Sequence, residues 1–418
     1  MGKFIKNLPT NWKIYSLQEL LDNKIIISHL DGNHGGLYPR KEEFINSGVP
    51  YISANCIEGD SISLKKAKYL SLERAKKFKK GVARNRDVLF AHNATVGPVA
   101  LLETDEEFII LGTSLTYYRC NEDFLKPEYL KHYLNSQIFK NQYLEVMGQA
   151  TRNQVPITKQ RTFFHVIPLL PEQQRIVTKL DGLFANIDQA IGLLEENIAH
   201  TKALMGSVLD EEFGKLEAYN ILTIDEVKES NVIGLVRSSK IQSPNKEFEY
   251  LKMNNITRNG DLDLEKVVCV DATKEEFDKY SLKKGDFLFN TRNSIELVGK
   301  TAIYDLDKPI LYNNNIMRLR FKEGINPYFV NFQFFSNKTK ADLEKIKSGT
   351  TNVAAVYYKT FKNLELKIPN IETQNILVKK LSKFSNKLKQ MSDYQTQKLT
   401  SLKSLKSSLL DKAFKGEL

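Results

Sequence analysis

Tyr51, Ile52, Asn55 and Ile57 return as Tyr250, Leu251, Asn254 and Ile256, a lag of 199 residues. Asp87-Val88-Leu89-Phe90 returns as Asp286-Phe287-Leu288-Phe289 at the same lag, and Lys126-Pro127 returns as Asn326-Pro327 at 200. Ile167-Pro168 matches Ile368-Pro369 at 201, while Glu172, Gln174 and Ile176 match Glu372, Gln374 and Ile376 at 200. Ser207-x-Leu209-Asp210-x-x-Phe213 comes back as Ser408-x-Leu410-Asp411-x-x-Phe414 at 201. Chance does not hold one register within two residues across half a chain. The chain is a duplication, so whatever fold one half adopts, the other adopts too. Its 418 residues also exceed what one ordinary core organises.

Each half runs in the same order. Short apolar runs punctuated by Gly, Asn and Pro predict mixed strands and helices over residues 1–171 and again over 217–371. Pro168 and Pro171, or Pro369, then stop the module. A helix follows with Glu in its first turn, where the helix dipole favours negative charge. The first, over 172–216, carries Ile176, Leu180, Leu183, Ile187, Ala190, Leu194, Leu204 and Val208, with Val177, Phe184, Ile191, Ile198 and Met205 alongside. The second, over 372–418, carries Leu377, Leu381, Phe384, Leu388, Met391, Leu402, Leu405 and Leu409. Steps of four and three are heptad spacing, which buries a seam against another helix. Asn197 and Thr201 in one seam, and Gln395 and Lys398 in the other, are polar residues of the kind that fix register at a cost in stability.

Charge chooses the partner. Residues 172–216 hold four Lys or Arg against eight Asp or Glu, a net of −4; residues 372–418 hold ten against four, a net of +6. Pairing with each other is therefore favoured over self-pairing. The helices could still be core helices of one large domain, but their length, opposite charge and position after each module favour a pair that holds two modules apart. The expected fold is α+β: two α/β modules separated by two long antiparallel coiled-coil helices, in a pseudo-twofold internal repeat.

A composition of 41% hydrophobic and 27% charged residues is that of a globular protein, and the net charge of +11 suggests a polyanionic partner. No apolar run reaches signal-peptide length at Met1 or the roughly 20 residues of a membrane span. Cys56, Cys120 and Cys269 lie far apart, in neither metal spacing nor a disulfide framework. The expectation is a cytoplasmic protein.

Catalytic motifs fail on inspection. Gly299-Lys300-Thr301 resembles the end of a phosphate loop, but Ser294 stands where that loop needs glycine, and the following residues read as a strand rather than a helix. Asn326-Pro327-Tyr328-Phe329 lacks the second proline of an amino-methyltransferase motif, and Glu365-Leu366-Lys367 lacks the Pro-Asp that a nuclease site requires. His29, His34, His92, His132, His165 and His200 show no metal spacing.

A DNA-binding reading has more to rest on. Residues 65–86 contain ten cations and one acid, Glu73, a cluster suited to phosphates, with a solvated helix face as the alternative. Lys76, Lys77, Lys79, Lys80 and Arg84 are its candidate contacts. Base edges are read by Asn, Arg, Thr and similar groups on loops. Candidates in the first half are Asn55; His92, Asn93 and Thr95; and Thr151, Arg152 and Asn153. In the second they are Asn254; Thr291, Arg292 and Asn293; and Thr351 and Asn352. For each loop a plain turn is the competing reading.

Ile167-Pro168-Leu169-Leu170-Pro171-Glu172-Gln173-Gln174-Arg175-Ile176-Val177, the ending Leu409-Leu410-Asp411-Lys412-Ala413-Phe414-Lys415-Gly416-Glu417-Leu418 and the strand Lys284-Gly285-Asp286-Phe287-Leu288-Phe289 carry a resemblance. Over nearly its whole length the chain resembles the specificity (S) subunit of type I restriction–modification enzymes. The second helix start, Pro369-Asn370-Ile371-Glu372-Thr373-Gln374, departs from the pattern by one proline. The resemblance implies two target-recognition domains, each reading half of a bipartite double-stranded DNA site, with the helices setting the gap. It implies no catalytic residue, metal or cofactor on this chain. Adenine methylation falls to two methyltransferase (M) subunits using S-adenosylmethionine, and ATP- and Mg-dependent restriction to motor (R) subunits. A self-contained nuclease or methyltransferase, or a basic coiled-coil scaffold, are the alternatives.

Replacing Lys76, Lys77, Lys79 and Lys80 by Ala is expected to weaken binding to all DNA sequences alike. It should also flatten the salt dependence, by roughly 0.9 in log–log slope for each phosphate that is no longer neutralised. Binding titrations across salt concentrations measure this, and weakening confined to one sequence would contradict it.

Overall fold

The computed structural model describes residues 8–32, 38–148, 153–350 and 352–418. The long helices run over Leu170–Gly214 and Ile371–Ala413. Contacts divide the chain into Met1–Leu194 with Gln397–Leu418, and Glu195–Thr396. The division cuts both helices. Each unit is thus one module, the start of the helix that follows it, and the end of the other helix.

In unit 1, Lys13–Ser16 pairs antiparallel with Phe164–Ile167, so the module's first and last strands close one ladder. In unit 2, Asn220–Thr223 does the same with Glu365–Ile368. A capping box follows each first strand: Ser16 with Glu19 starts Leu17–Asp22, and Thr223 with Glu226 starts Ile224–Val227. Reciprocal caps satisfy orphan amides, which is why such short helices form.

The central element of unit 1 is an antiparallel four-stranded sheet in the order Val99–Leu101, Val88–Ala91, Leu115–Cys120, Ile26–Asp31. Unit 2 repeats it as Thr301–Tyr304, Asp286–Asn290, Ile316–Phe321, Lys228–Ile233. Phe90 faces the helices Pro127–Asn135 and Gln137–Met147 in one core cluster, while Leu89 and Ala91 enter a second cluster on the other face. Phe287 and Phe289 divide from Leu288 in the same way. Burial on both faces explains why these strands read as continuous apolar runs rather than alternating ones. On the far side, Val49–Ile52 pairs parallel with Ile109–Leu111, and Phe248–Leu251 pairs parallel with Leu311–Tyr312.

The repeat's polar residues are buried fasteners. Asp87 and Asp286, 1% and 2% exposed, each accept a fork from an arginine. Arg119 approaches Asp87 at 2.7 and 2.9 Å, and Arg320 approaches Asp286 at 2.6 and 3.0 Å. Bidentate geometry of this kind compensates the desolvation of both charges. At the start of the central helix, Gln173 Nε2 donates to Phe124 O and Pro168 O, and Lys126 N donates to its Oε1. Gln374 repeats this with Gly324 O, Pro369 O and Asn326 N. The equivalent of Gln374 is therefore Gln173, at lag 201, and not Gln174, whose exposed amide reaches Thr178 Oγ1 at 3.3 Å. Asn326, in the segment that lacks the second proline of an amino-methyltransferase motif, caps the helix Pro327–Phe335.

The ends of the helices dock on the other module in sequence. Within unit 1, Asp411 Oδ1 accepts from Gln137 N at 3.1 Å, and Phe414 packs edge-on against Tyr129 and Tyr133. Within unit 2, Asp210 Oδ1 accepts from Asn337 N at 3.0 Å, and Phe213 packs against Phe329. The helices are antiparallel in both units: Arg175 meets Leu418 O and Asp188 meets Lys406 in one, and Glu212 meets Lys380 in the other. Acidic residues of the central helix thus meet basic residues of the C-terminal one. The buried seam is narrower than its heptads suggest, because Leu204, Met391 and Leu405 are over 40% exposed. Thr201 is buried and bonded to Asn197 O at 2.8 Å, whereas Asn197 and Lys398 are exposed and Gln395 is half-buried. No helix among the described residues is long and apolar enough to cross a membrane.

Burial lowers His29 to a pKa of about 3 and His165 to about 4, from an ordinary 6.5. Both stay neutral in the fold, while the unfolded chain takes up protons below about pH 6.5. Their contribution is complete above that pH and is lost as pH falls toward 4, at about 1.4 kcal/mol per unit for each histidine. Residues 217–371 contain no histidine, and the single tryptophan, Trp12, is buried in unit 1. Between pH 7 and 5, the urea transition followed by Trp12 fluorescence should shift down further than the transition followed by circular dichroism of the remaining fold. Equal shifts would contradict this.

Candidate nucleic-acid interface

The polar segments singled out in sequence converge where the Val88–Ala91 and Asp286–Asn290 strands end. In unit 1, His92 N donates to Ser114 O at 3.0 Å, and Val155 N donates to His92 O at 2.8 Å. Ala94, with a left-handed φ of 63°, donates to Asn153 O, and Asn93 bridges Gln154. Ala54 N donates to Ser114 Oγ at 2.9 Å, which brings in the turn carrying Asn55. Unit 2 builds the same frame. Thr291 N donates to Asn315 O at 2.8 Å, Val356 N donates to Thr291 O at 2.9 Å, and Arg292 and Asn293 pair with Ala355 and Ala354. Asn315 Nδ2 reaches Met253 Sδ at 3.6 Å, in the turn carrying Asn254.

These bonds set His92 opposite Thr291, Ser114 opposite Asn315 and Val155 opposite Val356. The lag of 199 seen in the sequence runs on through this loop, from His92 to Thr291, whereas Ser114 and Asn315 are passed over in sequence altogether. Their only signal is a pair of polar residues, Thr113-Ser114 and Asn314-Asn315, just before a buried strand at lag 201.

The structure separates displayed residues from those that hold the frame. Asn55, Thr95 and Asn153 are exposed and Asn93 is half-buried; Asn254, Arg292 and Asn352 are exposed. His92 is a correction: it is 1% exposed, with Nδ1 at 3.0 Å from Val155 O, and so belongs to the frame. Thr291 is buried with its hydroxyl on Asn315 O, and Asn293 turns its amide onto Asn290 Oδ1, so neither is displayed. Thr151, Arg152 and Thr351 lie outside the described residues.

The basic segment is not a helix face. Residues 65–86 pass through the turn Leu64–Lys66, the strand Lys68–Leu70, the helix Leu72–Ala75 and the strand Val82–Ala83. Lys66 pairs with Glu58, Arg74 with Glu43, Lys77 with Glu73, and Arg86 with Glu122 and Glu128, which partly neutralises the cluster. Lys76, Lys77, Lys79, Lys80 and Arg84 are all exposed. Gly81 pins the segment: its carbonyl accepts from Leu111 N at 2.8 Å, and a Cβ there would lie 2.8 Å from Gly32 Cα. That anchors the end of the lysine run, at Gly81, to Leu111. Among the described residues no group of three His, Cys, Asp or Glu could hold a metal ion.

The family model for the type I restriction modification DNA specificity domain matches residues 9–196 and again 217–400. The chain belongs to this family, whose members are specificity rather than catalytic domains. It is similar to the type I restriction enzyme EcoKI specificity subunit of Escherichia coli, with 22% identity over 70% of this chain and 67% of that protein. It is also similar to the putative type I restriction enzyme MjaX specificity subunit of Methanocaldococcus jannaschii, with 31% identity over 42% of this chain and 43% of that protein. A solved structure on complex assembly and conformational transition of the type I R-M system contains a chain of the same fold. There the TM-score is 0.77 and the identity 21%, over 99% of this chain and 100% of that one.

Asn290 shows how frame and display differ energetically. Fully buried, its side chain donates to Arg292 O and Asn315 O and accepts from Asn293. Asn290→Ala should cost unit 2 about 1–3 kcal/mol in urea denaturation, because it strands buried partners. Asn93→Ala and Arg292→Ala should stay within about 0.5 kcal/mol, as surface changes do. Equal costs would overturn the division.

Proposed function

We propose that this chain is the DNA-reading specificity subunit of a type I restriction–modification complex, and that each module reads one half of a bipartite site. The observation that carries this reading is one frame built twice with different displayed chemistry. At equivalent positions of the two loops Asn93 stands against the exposed Arg292. Identical positioning with different polar groups suits two readers of different sequences, since base edges are distinguished by the donors and acceptors presented to them.

On this reading the basic segment of unit 1 contacts phosphates and positions that module. Adenine methylation is carried out by two copies of a methyltransferase subunit holding S-adenosylmethionine. Restriction is carried out by motor subunits using ATP and Mg, and the complex works in the cytoplasm. A duplicated chain offers two equivalent surfaces, which suits two identical partners. The relatives' designation as specificity subunits supports this division of labour.

Mapping methylated adenines in cells with and without the gene tests the proposal. A bipartite motif should vanish with the gene, and the purified chain alone should transfer no methyl group from labelled S-adenosylmethionine to DNA. Methyl transfer by the isolated chain, or an unchanged methylation map, would contradict it.

A further inference from the structure

Lys300, the lysine of the motif that fails as a phosphate loop, lies immediately before the strand Thr301–Tyr304. It is half-buried, and its ammonium donates to Met253 O at 2.9 Å and to Ile256 O. These two carbonyls bracket Asn254. Asn255 anchors the same turn from beneath: it is 2% exposed, its Oδ1 accepts from Lys252 N and its Nδ2 donates to Asp263 O. Asn254, held between the anchors, is the exposed residue.

We infer that Lys300 is a positioning residue for base recognition by the second module, clamping the turn that displays Asn254. This rests on the reading of function given above. A half-buried ammonium is an expensive way to satisfy two carbonyls, and burial lowers its pKa. A polar clamp there is explained by what it fixes. Two donors from one rigidly placed strand end set the height and orientation of a turn whose tip is free.

The other module works differently. The strand pairings set Lys300 opposite Pro98, since Asn290 N donates to Lys300 O just as Ala91 N donates to Pro98 O, both at 2.8 Å. Proline supplies no side-chain donor. The Asn55 turn is held instead by Ser114 Oγ on Ala54 N. The clamp therefore belongs to one half-site only.

The test uses the full chain expressed with its genomic methyltransferase partner, read by the motif it methylates. Lys300→Met should relax discrimination on the order of tenfold at the base positions that Asn254→Ala relaxes. The double variant should relax them no further, and the other half-site should keep its sequence. Where Lys300→Met abolishes methylation everywhere, Lys300→Gln decides. Partial relaxation confined to that half-site supports the clamp, and an unchanged motif overturns it. Relaxation of both half-sites, or additive effects with Asn254→Ala, also overturns it. A wild-type chain without any bipartite motif instead removes the functional reading on which the inference stands.

Discussion

Asp411 and Asp210 each accept a hydrogen bond from the first amide of a helix that lies 274 or 127 residues away, and each does so one turn before a phenylalanine buried in that module's core. A helix start leaves amides unsatisfied, and a carboxylate placed there also meets the favourable end of the dipole. The aromatic partner adds burial that is worth about 3–5 kcal/mol for a Phe side chain. Neither module is complete without this contact. Because it comes from the end of one helix while Gln173 or Gln374 secures the start of the other, each unit holds two antiparallel helix segments against its own module. The pairing of acidic with basic helix surfaces follows from that docking.

What the docking secures is a frame whose polar groups are consumed internally. The Asp87–Arg119 and Asp286–Arg320 forks sit at the beginning of the central strands, and the bonds around Ser114 and Asn315 sit at the other end. Main-chain amides and carbonyls carry most of the second set, so side chains can vary there without moving the backbone. Residues such as Asn93 and Arg292 are then substitutable chemistry on a fixed mount, which is what a reader of variable sequence requires. The basic segment in unit 1 has a different standing, since several of its cations are already paired with neighbouring carboxylates.

Much of the architecture is legible in sequence because duplication is a global signal. The lag near 200, the heptad stripes and the opposite helix charges each follow from covalent order alone. The return of Ser207–Phe213 as Ser408–Phe414 is visible as a repeat, but its meaning as a capping and docking element needs three dimensions. Register drifts where insertions fall: sequence pairs Gln374 with Gln174 rather than Gln173. The candidate site is legible as loops and not as side-chain directions. His92, Thr291 and Asn293 are polar residues on polar loops, and only burial shows that their hydrogen bonds are spent inward. Lys300 reads in sequence as part of a failed motif, because nothing there links it to carbonyls more than forty residues earlier.

On the proposed function, the turns bearing Asn55 and Asn254 face different halves of one DNA site. A photo-crosslinking amino acid placed at residue 55 or 254 of the full chain, in complex with its methyltransferase partner on target duplex, tests it directly by sequencing the crosslinked base. Base crosslinks are expected to be confined to one half-site from position 55 and to the other from position 254. Crosslinks from both positions to the same half-site, or to no defined base, would contradict it.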